Sequence, residues 1–290
     1  MNRFLKTLAL LGLCLLLAGG VLGALLFGAY GTELLEDVPW KDWGGRLTDL
    51  KNRGEISWKG EDMTYQVPEE EQDGITELDF TFATGEIEIR EGKSLSVEAT
   101  DIVAGTLQCE TDGETWYIRD TLRESQRPHS YCPQITVTIP SETKFRAVTI
   151  RTGAGTVTTE TILTDTISAE IGAGSMQMSR LKADEAATLR VGAGDLSVEN
   201  FEGRNISLEN GVGTVYIKGR ILGHNQVKCG IGSVDLTLVD MDQIDYGYSV
   251  DCSVGEVVIG NRIFAGTTDY NLGSDVFFDL SCNIGTIELK

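Results

Sequence analysis

Three groups of residues in this chain have types and spacings that invite chemistry. Asp240, Asp242 and Asp245 fall within six residues of one another. Carboxylates that close could hold a divalent cation, or act as acid and base on a sugar. Cys229, Cys252 and Cys282 offer thiols that could bind a soft metal or bond to each other. Five Gly-x-Gly phrases could cradle a phosphate or build a calcium ladder. They are Gly153-Ala154-Gly155, Gly172-Ala173-Gly174, Gly192-Ala193-Gly194, Gly211-Val212-Gly213 and Gly230-Ile231-Gly232.

The spacing argues against each of these. A dinucleotide fingerprint needs a third glycine and a following helix, and neither is present. A calcium ladder needs an aspartate after the glycine pair. Here that position holds Thr156, Ser175, Asp195, Thr214 and Ser233, one aspartate in five. The cysteines lie 23 and 30 residues apart with no Cys-x-x-Cys pair and no histidine beside them, which is not zinc spacing. The aspartate trio sits in a longer connection and reads as a solvated acidic turn. Of the two histidines, His129 lies in a turn, Arg127-Pro128-His129-Ser130, and His224 lies between repeats. Neither has a serine or cysteine placed as a nucleophile. No catalytic residue, cofactor or metal is therefore expected, and the chain does not read as an enzyme.

The elements that carry these residues explain the glycines better. The second glycine of each phrase recurs at 155, 174, 194, 213 and 232, in steps of 19, 20, 19 and 19 residues. A fixed period near 20 is the signature of a solenoid. Apolar residues alternate on both sides of the glycine, as in short strands with one buried face. Two positions after it stand Val157, Met176, Leu196, Val215 and Val234, and five before it Ile150, Ala169, Leu189, Leu208 and Val227. Positions one, three and five before the glycine and two and four after it are expected to face inward. A third apolar site recurs at Ile162, Leu181, Phe201 and Val239. Imperfect copies surround Gly85, Gly255 and Gly285. The predicted fold is all-β, a parallel β-helix or solenoid with coils of about 19 residues. Gly155, Gly174, Gly194, Gly213, Gly232, Gly255 and Gly285 are its structural bends. The column of Cys229, Cys252 and Cys282 then reads as a ladder of small buried side chains, where a disulfide would be strained.

The chain has 290 residues and a net charge of −20, which argues against nucleic acid as a partner. No charged residue occurs from Thr7 to Thr32, while Arg3 and Lys6 precede that run and Glu33, Glu36 and Asp37 follow it. This predicts one transmembrane α-helix, an uncleaved anchor at 7–31, ahead of the solenoid. A cytoplasmic tip of 1–6 precedes it, and everything beyond lies outside the cell membrane. Residues 32–75 read as a juxtamembrane stalk. Its Trp40, Trp43 and Trp58 either rest at the membrane interface or pack as a short helix on the first coil. The solenoid is expected at 76–290, irregular over 76–147 and regular over 148–290. Cys109 and Cys132 flank an irregular stretch and are a candidate disulfide in an extracytoplasmic domain.

The coil phrase, the run Ile135-Thr136-Val137-Thr138-Ile139-Pro140 and the ending Ile284-Gly285-Thr286-Ile287-Glu288-Leu289 resemble the bacterial putative adhesin family, a β-strand-repeat domain of unknown function. The resemblance spans about 76–290. It departs from the family's Gly-Asp corner, which only Gly194-Asp195 keeps. It implies a bacterial envelope protein that binds an envelope polymer or a membrane-protein partner, and it supplies no catalytic residues. Some members sit near envelope-stress systems, so an accessory modulator of such a sensor is the alternative function. A polysaccharide-active enzyme ranks behind both.

Overall fold

The computed structural model describes residues 60–122, 131–239 and 241–290. The expected anchor at 7–31, the stalk tryptophans, His129 and Asp240 lie outside them. Among the described residues no helix is long and apolar enough to cross a membrane. The helical pieces there are α1 (Glu69–Gln72) and a 3-10 turn at Met241–Gln243.

Twelve strands form one continuous sheet, wound as a solenoid. They are β1 (Glu61–Gln66), β2 (Glu77–Gly92), β3 (Ser96–Ile102), β4 (Leu107–Asp112), β5 (Thr115–Asp120), β6 (Gln134–Pro140), β7 (Lys144–Arg204), β8 (Ile206–Leu222), β9 (His224–Leu238), β10 (Tyr246–Ile259), β11 (Arg262–Tyr270) and β12 (Val276–Leu289). β7 runs unbroken through several bends because pairing with adjacent coils continues around them. Like residues stack on like: Gly85 pairs with Gly155, Gly194 with Gly213, and Gly213 with Gly232. The core is the inside of this stack. Val157, Met176, Leu196, Val215 and Val234 are all buried, as are Ile150, Ala169, Leu189, Leu208 and Val227.

Four details differ from the sequence reading. First, the position just before the second glycine faces outward, with Val254 64% exposed and Ile284 51% exposed. The chain turns its corner at Gly-x-Gly, so the middle residue projects from the outside of the bend. Second, Val239 is 64% exposed, and its neighbour Leu238 is buried instead. The chain leaves the stack there, and the last inward site falls one residue earlier. Third, the folded body begins before residue 76, because β1 pairs antiparallel with β3. A short strand with alternating polar residues reads as stalk until its partner is known.

Fourth, the last two copies do not stack in chain order. β12 lies between β9 and β10, parallel to both, so Gly285 faces Gly232 on one side and Gly255 on the other. β10 and β11 form a hairpin. The hairpin supplies one of its own edges and needs one parallel partner. β12 has no hairpin mate, and the interior slot pairs both its edges. The N-terminal end is closed in a related way. β5 and β6 share the far edge of β2, β4 lies antiparallel outside β5, and β3 lies antiparallel outside β6. Trp116 plugs this end, fully buried and edge-on to Phe80 at 5.4 Å between ring centres.

Candidate functional site

The glycine corners leave no room for a ligand. Gly174 and Gly194 have φ of 118° and 143°, values that favour glycine. A Cβ on Gly194 would lie 1.9 Å from the carbonyl oxygen of Gly174, and one on Gly174 would lie 2.0 Å from that of Gly155. Gly155, Gly213, Gly232, Gly255 and Gly285 show the same close approach. The space a phosphate or cation would need is filled by the backbone of the neighbouring coil.

The thiols are separated by role. Cys229, Cys282 and Cys252 stack in that order in adjacent strands, all buried and all free. Burial pushes the Cys282 thiol up to about 12. Asn210 continues the column and is 1% exposed. Its Nδ2 donates to the Gly213 carbonyl at 2.9 Å, while its Oδ1 has no hydrogen-bond partner. Cys109 and Cys132, the candidate disulfide pair, are not bonded. Cys109 lies on β4, where burial pushes its thiol up to about 12, and Cys132 is exposed. Cys109 lies within β4 and Cys132 just before β6, in different parts of the split first coil, which flanking a common stretch of sequence did not reveal.

Of the acidic trio, Asp245 has a structural role, while Asp240 and the side chain of Asp242 lie outside the described part of the structure. Asp245 accepts from Asn271 Nδ2 at 3.0 Å, and its carbonyl accepts from Ser274 Oγ at 2.7 Å. Among the described residues no group of three His, Cys, Asp or Glu side chains is placed to hold a metal. His224 packs near Phe277, with ring centres 6.1 Å apart, and its backbone N–H donates to Asn205 Oδ1.

What the fold offers outward is a set of flat, ordered columns. Before the corner, Arg151, Glu170, Arg190, Glu209 and Lys228 alternate in charge along the stack. Arg190 meets Glu209 at 3.7 Å and Arg151 meets Asp79 at 3.3 Å, so this face satisfies itself. After the corner come two columns of hydroxyls, amides and carboxylates. Thr214 stands opposite Asp195 and Ser233, and Ser233 opposite Thr286. Tyr216 stands opposite Ser197 and Asp235. Neighbours in such columns repeat about every 4.8 Å. At the N-terminal end of this face lies an open depression of about 380 Å³, lined by Glu86, Glu88, Gln134, Thr136, Thr156 and Thr158. A second, of about 370 Å³, is lined in part by Arg180, Asn200, Phe201, Lys218 and Arg220. Lys144 clamps successive coils through Asp165 and Asp184. Its hydrogen bond holds the Asp184 carboxyl below its ordinary value.

An all-β solenoid with packed corners and flat polar columns defines a repeat scaffold. The chain belongs to the Toastrack DUF4097 family, whose sequence pattern matches residues 75–269. No curated relative matches the chain. Among solved structures it is similar to a putative cell adhesion protein from Clostridium sporogenes, at 12% identity and a TM-score of 0.32, covering 80% of this chain and 99% of that one. It is similar to a putative lipid binding protein from Parabacteroides distasonis, at 12% identity and a TM-score of 0.36, covering 81% and 98%. A putative adhesin from Bacteroides fragilis matches at 12% identity and a TM-score of 0.31, with the same coverage.

Proposed function

We propose that this chain is a non-enzymatic binding module, held outside the cell by the apolar segment 7–31, whose solenoid engages an envelope polymer in an adhesin-like way. One observation carries this reading: the post-corner face presents aligned hydroxyl and carboxylate columns that open into the 380 Å³ depression. Regular, flat donors and acceptors suit an extended polyhydroxylated polymer, whose own groups repeat along a line. A hydrolase would instead need two carboxylates facing across a cleft around the scissile bond. Family membership and the charge-free run from Thr7 to Thr32 support an envelope setting.

The test is a pull-down of the full-length chain, in mild detergent, with isolated cell-wall polymer. Native protein is retained. A variant carrying Thr214→Lys and Ser233→Lys, which places bulky cations on the face, is released. Failure of the native chain to be retained, or undiminished retention of the variant, overturns the proposal.

A further inference from the structure

The two ends of the sheet are closed in different ways. At the N-terminal end both outer strands carry acids: Glu61 and Asp62 on β1, and Glu110 and Asp112 on β4, all exposed. Like charges facing like keep two such edges apart. At the other end the terminal strand is β11, which carries a single acid, Asp269. Its sequence is Arg262-Ile263-Phe264-Ala265-Gly266-Thr267-Thr268-Asp269-Tyr270. It contains no lysine and no proline, and its one arginine balances its one aspartate in a chain of net charge −20. Every second residue of an edge strand points its N–H and C=O away from the sheet, where another strand can pair with them.

Apolar exposure gathers at this same end. Among the described residues, the large hydrophobics left exposed are Val239, which bonds to Gly219 of β8 away from this end, and Val254, Ile263, Tyr270, Leu272 and Ile284, which lie on or next to β10, β11 and β12. Ile263 is 67% exposed on β11 itself, and Tyr270 is half exposed although stacked on Tyr248 at 5.3 Å. Phe264 also packs on Tyr248 and is only partly covered. The apolar corner ridge runs from Val212 through Ile231 and Ile284 to Val254, ending beside the bend of β11. Soluble surfaces seldom gather apolar side chains on one unpaired edge unless something covers them.

We propose that the occupant is a second copy of this chain, and that two solenoids join end to end through antiparallel pairing of their β11 strands about Gly266. The strand is self-complementary in this register. Arg262 comes opposite Tyr270 of the second copy, Ile263 opposite Asp269, and Phe264 opposite Thr268. The faces match as well. Arg262, Phe264, Thr268 and Tyr270 are partnered in the hairpin by Ile259, Val257, Val250 and Tyr248, all buried. Ile263 and Asp269 are partnered by Val258 and Ser249 on the opposite side. Inward residues therefore meet inward residues. Arg262 can lie over the Tyr270 ring of the second copy, since both stand on the same side of the paired strands. The bend also fits. Gly266 has φ of 90° and sits where β11 crosses the corner of β10. A two-fold axis through that point exchanges the arms on either side of it, Arg262–Ala265 and Thr267–Tyr270. The contact is isologous and closes at two copies.

The test is the protein mass of the full-length chain in mild detergent, by sedimentation equilibrium. The native chain is expected to give two copies per complex. Ile263→Lys, at an exposed position and with its native fold checked by circular dichroism, is expected to give one. A native chain with one copy per complex overturns the proposal, as does a two-copy complex that persists in Ile263→Lys. The register is read separately by mixing an Ala265→Cys chain with a Thr267→Cys chain, both also carrying Cys132→Ser. On oxidation the mixture should form a disulfide-linked pair joined at 265 and 267. A mixture that cross-links no faster than either variant alone overturns it.

Discussion

At the scale of single residues, the corner glycines do geometry rather than chemistry. Each lets the backbone of one coil lie against the next at a distance no side chain permits. Gly194→Ala would place a Cβ 1.9 Å from the Gly174 oxygen at φ 143°. Strain at positive φ and overpacking together should cost about 3 kcal/mol or more. Gly273→Ala is the control and should be neutral, since its added methyl group would meet nothing within 4 Å and its φ is not positive. The urea midpoints of the two variants check this, and equal midpoints would refute the packing argument. The thiols make a second residue-scale prediction. At pH 8 iodoacetamide should modify exposed Cys132 quickly. It should leave Cys109 and Cys282, both pushed up to about 12 by burial, unmodified until the chain is unfolded, because the thiolate is the reactive form. Peptide mass mapping gives the answer, and early modification of Cys282 would sink the account.

At the scale of elements, the notable feature is β12. Its side chains Phe278, Leu280, Cys282, Ile287 and Leu289 are all buried. Both its edges are paired, to β9 and to β10. Stopping the chain after Asp275 should therefore leave β9 and β10 each with an open edge and a gap in the core between them. Amide hydrogen exchange should lose its protection in both strands. If the copies stacked in chain order, β9 and β10 would still pair with each other after truncation and both would stay protected. The column pattern of the copies was legible in the sequence: Cys229, Cys252 and Cys282 share one inward column, and they do stack. Their order was not legible. A periodic sequence fixes which positions align but is silent on which coil is whose neighbour, since every copy presents the same columns. The outward turn of Val254 and Ile284 was hidden for a related reason. Alternation predicts direction along a straight strand, and these residues sit at the apex of a bend.

At the scale of the whole molecule, the acidic composition and the solenoid act together. A stack of coils has two ends and flat sides, so over the described residues the proposed binding would use a face or an edge. One face cancels its own charge through the Arg151–Asp79 and Arg190–Glu209 contacts. The other presents hydroxyls and carboxylates, and one end carries acids while the opposite end carries exposed aliphatics. The sequence by itself determined the repeat, the all-β class, the buried columns and the glycine corners. These follow from local periodicity and from what a missing Cβ allows, both written residue by residue. Only the tertiary structure decided the stacking order, the split first coil, the separate fates of Cys109 and Cys132, and the bare edge at β11. Those depend on which strands compete for each hydrogen-bonding edge, a choice made between segments far apart in the chain and so absent from any single stretch of it.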